Sequence, residues 1–228
     1  MFDFLAKYYP AFIDGTAQTI LISLLGGIIG MLLGILLVLA RLSKNPVLSL
    51  FARCYIAVIR GTPAMIQVML LYYTLSKFVT IAPLHFLGSS LDRTLPGSLA
   101  LGLNSAAYCA EIFRSGILAV NQGQFEAGSS LGMSRLQTMR YIILPQAMHH
   151  CLPALGNEFI SLIKESSVLF YIGVQEVTAQ ALGIGGTLYD FIAPLLVAAA
   201  IYFALTFILS QILVLFEQKW QRKYQCIS

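Results

Sequence analysis

Two groups of polar residues interrupt stretches that are otherwise apolar enough for hydrocarbon. One is Asn104, Tyr108, Glu111, Arg114 and Ser115; the other is Asn157, Glu158, Ser161, Lys164 and Glu165. At 100° per residue the second group falls within an arc of about 120°, and the first likewise shares one side of its helix. Carboxylates, cations, amides and a phenol gathered this way can hold a polar solute, or they can neutralise one another, for instance Glu111 with Lys164. Both chemistries are open at this level. A charge at the centre of a membrane helix costs about 2.5–3.5 kcal/mol, so Glu158, Lys164 and Glu165 together oppose insertion by roughly 8–10 kcal/mol. About ten apolar residues in the same segment return only about 5 kcal/mol. Neither stripe can therefore face lipid. Each must meet the other, a partner subunit or a water-filled path. Arg60, Gln67 and Thr74 recur every seven residues and would line a third helical face, unless Arg60 simply snorkels to the interface.

Other chemistry finds no residues to carry it. The glycine cluster at 183–187 has no lysine after it, so it is not a phosphate loop. No HExxH sequence occurs, which leaves metal-dependent proteolysis without its zinc ligands. Cys54, Cys109, Cys151 and Cys226 show no paired spacing, and the expectation is free thiols rather than disulfides or zinc. His85 falls in an outer loop. His149 and His150 are adjacent, which points them about 100° apart on a helix and suits shared ligation poorly. No catalytic residue and no metal site are expected.

The elements that must position the stripes are membrane helices. Of 228 residues 58% are hydrophobic and 11% charged, outside the range of a soluble domain. Residues 15–40 and 191–216 carry no charge, and each can cross about 30 Å of hydrocarbon. The first is too long for a cleaved signal core and lacks its basic start. Three further spans are predicted at 54–76, 95–118 and 155–173. Five spans place the termini on opposite sides. With the N-terminus outside, the cytoplasmic segments hold Arg41, Lys44, Arg53, Arg114, Arg135, Arg140, Lys219, Arg222 and Lys223; the outer ones hold Lys7, Lys77 and Arg93. The net charge of +4 follows from this bias and calls for no nucleic-acid partner. Gly26, Gly30 and Gly34 form overlapping GxxxG units that allow another helix to approach closely. Pro63 marks the inner start of the second span or a kink within it.

Between the third and fourth spans lies a polar insert, residues 119–150, long for a simple connection. Gly123 and Gly132 bracket a short helical segment, and Gly132 suits a left-handed helix end. Ser134 with Gln137 is a capping-box signal for a second short helix, which Pro145 should end. The insert reads as an exposed elbow on the inner face.

Within it, Glu126-Ala127-Gly128, then Gly132, then Ile142, Leu144 and Pro145 resemble the cytoplasmic signature of permease subunits in bacterial ABC importers; Gly128 replaces an alanine of that pattern. Residues 60–63, 105–116 and 162–167 are similar to segments of permeases for polar amino acids, the histidine, arginine, glutamine and cystine group. The resemblance runs from about residue 15 to 220. It implies an all-α type I importer fold, one membrane domain over 1–228 with five transmembrane helices and a coupling-helix insert in the bacterial inner membrane. It further implies a second copy or a similar permease chain, two ATPase subunits that carry ATP and Mg, and an extracytoplasmic binding protein. Glu126, Ala127, Gly128, Gly132, Ile142, Leu144 and Pro145 would couple to the ATPase. Arg60, Gln67, Asn104, Tyr108, Glu111, Asn157, Glu158, Ser161, Lys164 and Glu165 would line or gate the pathway. Another small polar solute such as a betaine or peptide, or a scaffold role without transport, are the competing readings.

Overall fold

In a computed structural model that describes residues 4–225, the chain is a bundle of helices with one small hairpin. Cys226 lies outside the described residues, as do the side chains of Arg222 and Lys223. The first helix, α1, spans Leu5–Leu42 and contains the charge-free run with a further ten residues before it. It ends at Ser43. Asn45 then caps α2, Pro46–Gly61, by accepting from the Val47 amide at 2.9 Å, with proline in the first turn where its missing N–H costs nothing.

The span expected at 54–76 is broken at Pro63, where a kink is one of the two readings, and it begins earlier, at Pro46. Here α2 gives way to α3, Ala64–Phe78, with a bend of 111° between them. Proline disfavours a helical conformation in the residue before it, and Thr62 is indeed extended at φ −124°, ψ 149°. Arg60 therefore lies on one helix and Gln67 and Thr74 on another, so the seven-residue repeat does not define a single face.

After α3, the strands β1 (His85–Phe86) and β2 (Ser89–Ser90) form a hairpin with His85 opposite Ser90. Its two turn residues, Leu87 and Gly88, both have positive φ, the conformation that suits a two-residue hairpin loop. The hairpin leads into α4, Leu91–Leu118, which is the centre of the bundle; Leu101, Ala106, Ala107 and Ala110 on it are fully buried. The glycine stripe of α1 packs here. A Cβ on Gly26 would sit 3.3 Å from Leu101 and one on Gly30 would sit 2.8 Å from Ser105, while Gly34 faces Cys109. The pairing advances in the same direction along both helices, so α1 and α4 run parallel.

The insert is helical nearly throughout. It begins with α5, Gln122–Ser130, and α6, Arg135–Thr138. A π-turn over Met139–Ile143 then leads straight into α7, Leu144–Glu165, and a 3-10 segment, Ser166–Ile172. Pro145 does not end the second helix as expected. It falls in the first turn of α7, just after the Leu144 amide has bonded to the Met139 carbonyl in the wider π pattern. That widening absorbs the donor that proline lacks. The fourth span accordingly belongs to a rod that starts at Arg135 rather than near residue 155. Gly173, at φ 81°, closes it, and α8 (Val177–Leu188) and α9 (Ile192–Gln225) complete the fold.

Among the described residues, two helices are long and apolar enough to cross a membrane alone, Leu5–Leu42 and Ile192–Lys219. Two bent pairs qualify as broken spans, α2 with α3, and Arg135–Ile172 with α8 at 50°. The α1–α4 contact gives a direct test. Gly30→Ala is expected to force the helices apart and cost about 1–3 kcal/mol. Gly186→Ala, whose Cβ would meet nothing within 4 Å, should be neutral or gain up to about 1 kcal/mol. Thermal unfolding of the two detergent-solubilised variants checks the contrast.

Candidate functional site

A cleft of about 440 Å³ opens between the end of α2, the C-terminal half of α4 and the middle of α7. Arg60, Tyr108, Glu111, Ser115, His150 and Glu158 line it. Arg60 turns inward, its guanidinium 5.4 Å from the centre of the Tyr108 ring, a cation–π distance. Glu158 accepts a hydrogen bond from Ser105 Oγ at 2.7 Å, which ties α7 to α4. Beside the cleft, Asn104 donates to Gln67 Oε1 at 2.8 Å and links α4 to the start of α3.

The ion pair between Glu111 and Lys164, one of the two open readings, does not form. Glu111 is held by two arginines: Arg114, one turn along α4, donates to Oε1 from Nη2 at 3.0 Å and from Nε at 3.1 Å, and Arg41 at the end of α1 donates to Oε2. Lys164 is exposed, and with Asn157, Ser161 and Glu165 it lies outside the cleft lining. The reason is geometric. Glu111 sits at the end of α4 beside the last turn of α1, whereas Lys164 is near the far end of α7. Of the predicted pathway residues the structure thus gathers Arg60, Tyr108, Glu111 and Glu158, and sets Gln67 with Asn104 at the margin.

The elbow is built from local rules. Asn121 caps α5 through the Gly123 amide at 2.8 Å. At its other end Gly132 has φ 74°, its amide bonds to the Ser129 carbonyl, and the Met133 amide bonds to Gly128, each at 3.0 Å. That is a Schellman motif. Ser134 and Gln137 then form the predicted capping box, at 3.3 Å and 2.8 Å. Glu126, Ala127 and Gly132 are exposed, as are Leu131 and Leu136 at 78% each, unusual for leucines. Ile142 and Pro145 are half-buried and Leu144 is exposed; the fully buried residue is Ile143, packed with Val120 and Ala147. Gly128 is buried against Thr138, and a Cβ there would lie 2.7 Å from both Thr138 Cγ2 and Oγ1. The one departure from the resembled pattern is therefore matched by a neighbour that fills the space.

A family profile described as "Binding-protein-dependent transport system inner membrane component" matches residues 15–222. The chain belongs to this family. The permease is 35% identical over 222 residues to a putative glutamine transport system permease protein of Rickettsia conorii, covering 96% of this chain and 98% of that one. It is 38% identical over 210 residues to the arginine transport system permease protein of Bacillus subtilis, covering 92% of each. A crystal structure of an amino acid ABC transporter with histidines shares 42% identity and a TM-score of 0.86, covering 96% of this chain and 99% of that chain. An inward-facing methionine ABC transporter, 16% identical with a TM-score of 0.71, has the same fold. The permease is a transport component of the inner membrane, not an enzyme.

Several residues that shape the permease, in the cleft and away from it, carry no clear signal in the sequence. Arg41 is legible only as a cytoplasmic charge, because nothing in sequence places the end of α1 beside residue 111. Ser105 is one of many small residues on α4. Glu176 is fully buried and caps α8, accepting from the Thr178 and Ala179 amides at 2.8 Å each and from Tyr202 Oη at 2.6 Å. Its one signal is an acidic residue just before a helix, hidden because residues 174–190 fall between two predicted spans. The Gly128–Thr138 contact yields a prediction against the family pattern. Gly128→Ala, which restores the patterned residue, should destabilise the permease by about 1–3 kcal/mol. Adding Thr138→Ala should recover most of the loss in thermal unfolding.

Proposed function

We propose that this permease forms the translocation pathway of an ATP-driven importer for polar amino acids. Five spans carry it: α1, the broken α2–α3 pair, α4, the rod from Arg135 to Ile172, and α9. The N-terminus is outside and the C-terminus cytoplasmic. Support for this orientation comes from Arg41 and Arg114, which meet at the same end of the bundle from which the elbow projects, with Arg135 and Arg140 on the elbow itself. The charged helix α4 can count as a span because its neighbours cover it.

The observation that carries the substrate class is the presence of opposite charges on one cleft. Arg60 suits an α-carboxylate and Glu158 an α-ammonium, with Tyr108 and the arginine-held Glu111 completing the wall. The named relatives for glutamine and arginine, and the histidine-containing structure, agree with that choice. Gln67 and Asn104 frame the pathway, and Asn157, Ser161, Lys164 and Glu165 extend the polar stripe along the rod. Glu126, Ala127, Gly128, Gly132, Ile142, Leu144 and Pro145 form the coupling segment for two ATPase subunits, which bind ATP and Mg; this chain holds no cofactor. A second copy or a similar permease closes the pathway, and a binding protein delivers the amino acid from outside.

Uptake by the complete complex in proteoliposomes, measured across a panel of amino acids, betaines and small peptides, tests this reading. ATP-dependent accumulation of polar amino acids is expected; accumulation of betaines or peptides alone would remove the substrate class. Gly132 gives the coupling test. A Cβ there meets nothing within 4 Å, so a large side chain collides with no part of this chain, and only the left-handed backbone is strained. Gly132→Asn, which tolerates that backbone, should keep most uptake, whereas Gly132→Trp should stay folded in the membrane at a strain of about 1–2 kcal/mol yet lose ATP-driven uptake. Normal uptake with tryptophan would end the coupling assignment.

A further inference from the structure

The break between α2 and α3 lies beside the cleft, and it leaves backbone acceptors without helical partners. Pro63 supplies no N–H, and the extended Thr62 cannot continue the ladder. Gln67, in the first turns of α3, reaches back to them. Its Nε2 lies 2.7 Å from the Ile59 carbonyl, 2.7 Å from Thr62 Oγ1 and 3.0 Å from the Thr62 carbonyl, so one of its two N–H groups is shared. Its Oε1 accepts from Asn104, a buried residue of α4. Every donor of the Gln67 amide is thus committed within the protein.

One turn further along α4, Tyr108 carries the Arg60 guanidinium on its ring. The two residues on α4 therefore grip the bend from opposite sides, Asn104 through the start of α3 and Tyr108 through the end of α2. Tyr55 adds a third tie, donating from Oη to the Leu103 carbonyl at 2.8 Å. At the break itself the chain is open, since a Cβ on Gly61 would meet no atom within 4 Å, while Ile56 on α2 and Val68 on α3 pack into the core on either side of it. The groups freed at the break are tied by side-chain hydrogen bonds.

Resting on the pathway reading above, we propose that Gln67 is a positioning residue for transport: it fixes the α2–α3 bend against α4 so that Arg60 faces the cleft, and it does not contact the solute. Within a membrane, freed backbone groups persist only where other groups satisfy them; here Thr62 Oγ1 serves the Val58 carbonyl at 2.9 Å, and Gln67 serves those of Ile59 and Thr62. The side chain acts on the amino acid only through Arg60.

The test uses the complete importer in proteoliposomes and Gln67→Met, which keeps the shape and removes the hydrogen bonds. Spin labels at Arg53→Cys on α2 and Tyr73→Cys on α3, with the exposed Cys54 changed to serine, report the bend as a distance distribution. A narrow distribution is expected with glutamine in place, and a broad or shifted one when Gln67→Met is introduced into the same labelled background. Uptake should fall about tenfold on Gln67→Met, but less than about twofold when Arg60 is already alanine, the non-additivity of residues that act through one another. An unchanged distance distribution, or a full tenfold loss in the Arg60→Ala background, overturns the proposal. Should Gln67→Met fail to assemble, Thr62→Val removes one acceptor at constant shape and is judged by the same two readouts. Arg60→Ala with undiminished uptake would count against the pathway reading, while the distance across the bend still decides the role of Gln67.

Discussion

The approach of α1 to α4 through glycine is the constraint on which the rest of the molecule depends. In a bilayer, lipid tails are as apolar as leucine, so helices gain little from hiding apolar side chains against each other. What remains is close van der Waals contact and hydrogen bonding, and both need backbones that come near. Gly26, Gly30 and Gly34 remove the side chains that would keep α4 away, and Gly102, Ser105 and Cys109 answer them from the other side. This seam makes α4 the buried axis of the bundle. Its remaining faces are then free to carry Asn104, Tyr108 and Glu111 at a depth where no single helix could bear them.

With the axis fixed, the polar groups at the bends follow one rule: a break in the backbone or a buried charge is met by a specific partner. Glu176 caps α8 with its carboxylate where the rod turns. Gln67 serves the acceptors freed at Pro63. The π-turn before Pro145 reroutes the Leu144 amide. Glu111 is neutralised twice, by Arg41 from α1 and Arg114 from its own helix. That last arrangement places a cation in excess at the end of the bundle from which the elbow projects.

How much of this is legible in the sequence depends on whether the governing interaction is local. The long apolar helices, the left-handed turn at Gly132 and the capping box at Ser134 are set by residues within a few positions of each other, and the sequence pattern locates them. Pro63 announces a break but not its 111° angle, which Asn104 and Tyr108 fix from thirty or more residues away. Pro145 resembles a stop because a π-turn leaves no trace in composition. Periodicity leaves a Glu111–Lys164 pair open, since helical phase says which way a side chain points and not which helix end stands beside it. In the cleft, the residue types are readable and their grouping is not: Arg60 joins Tyr108 only because α2 turns away from α3.

The connection between cleft and elbow follows from the same packing. Phe125 on α5 and Val120 just after α4 share one small core with Ile143 and Ala147 on the rod. At the cleft wall, Gly116 on α4 lies against Cys151 on α7, whose thiol donates to the Ile112 carbonyl at 3.5 Å. A close-packed interior transmits displacement instead of absorbing it. In the proposed importer, a load on the exposed face of α5 would pass to both walls at once, to α4 carrying Tyr108 and Glu111 and to α7 carrying Glu158. The Ser105–Glu158 hydrogen bond crosses between those walls, so any motion that separates them must break it. In the proposed importer that bond is the point where a force applied at the elbow first becomes a change in what the cleft can hold.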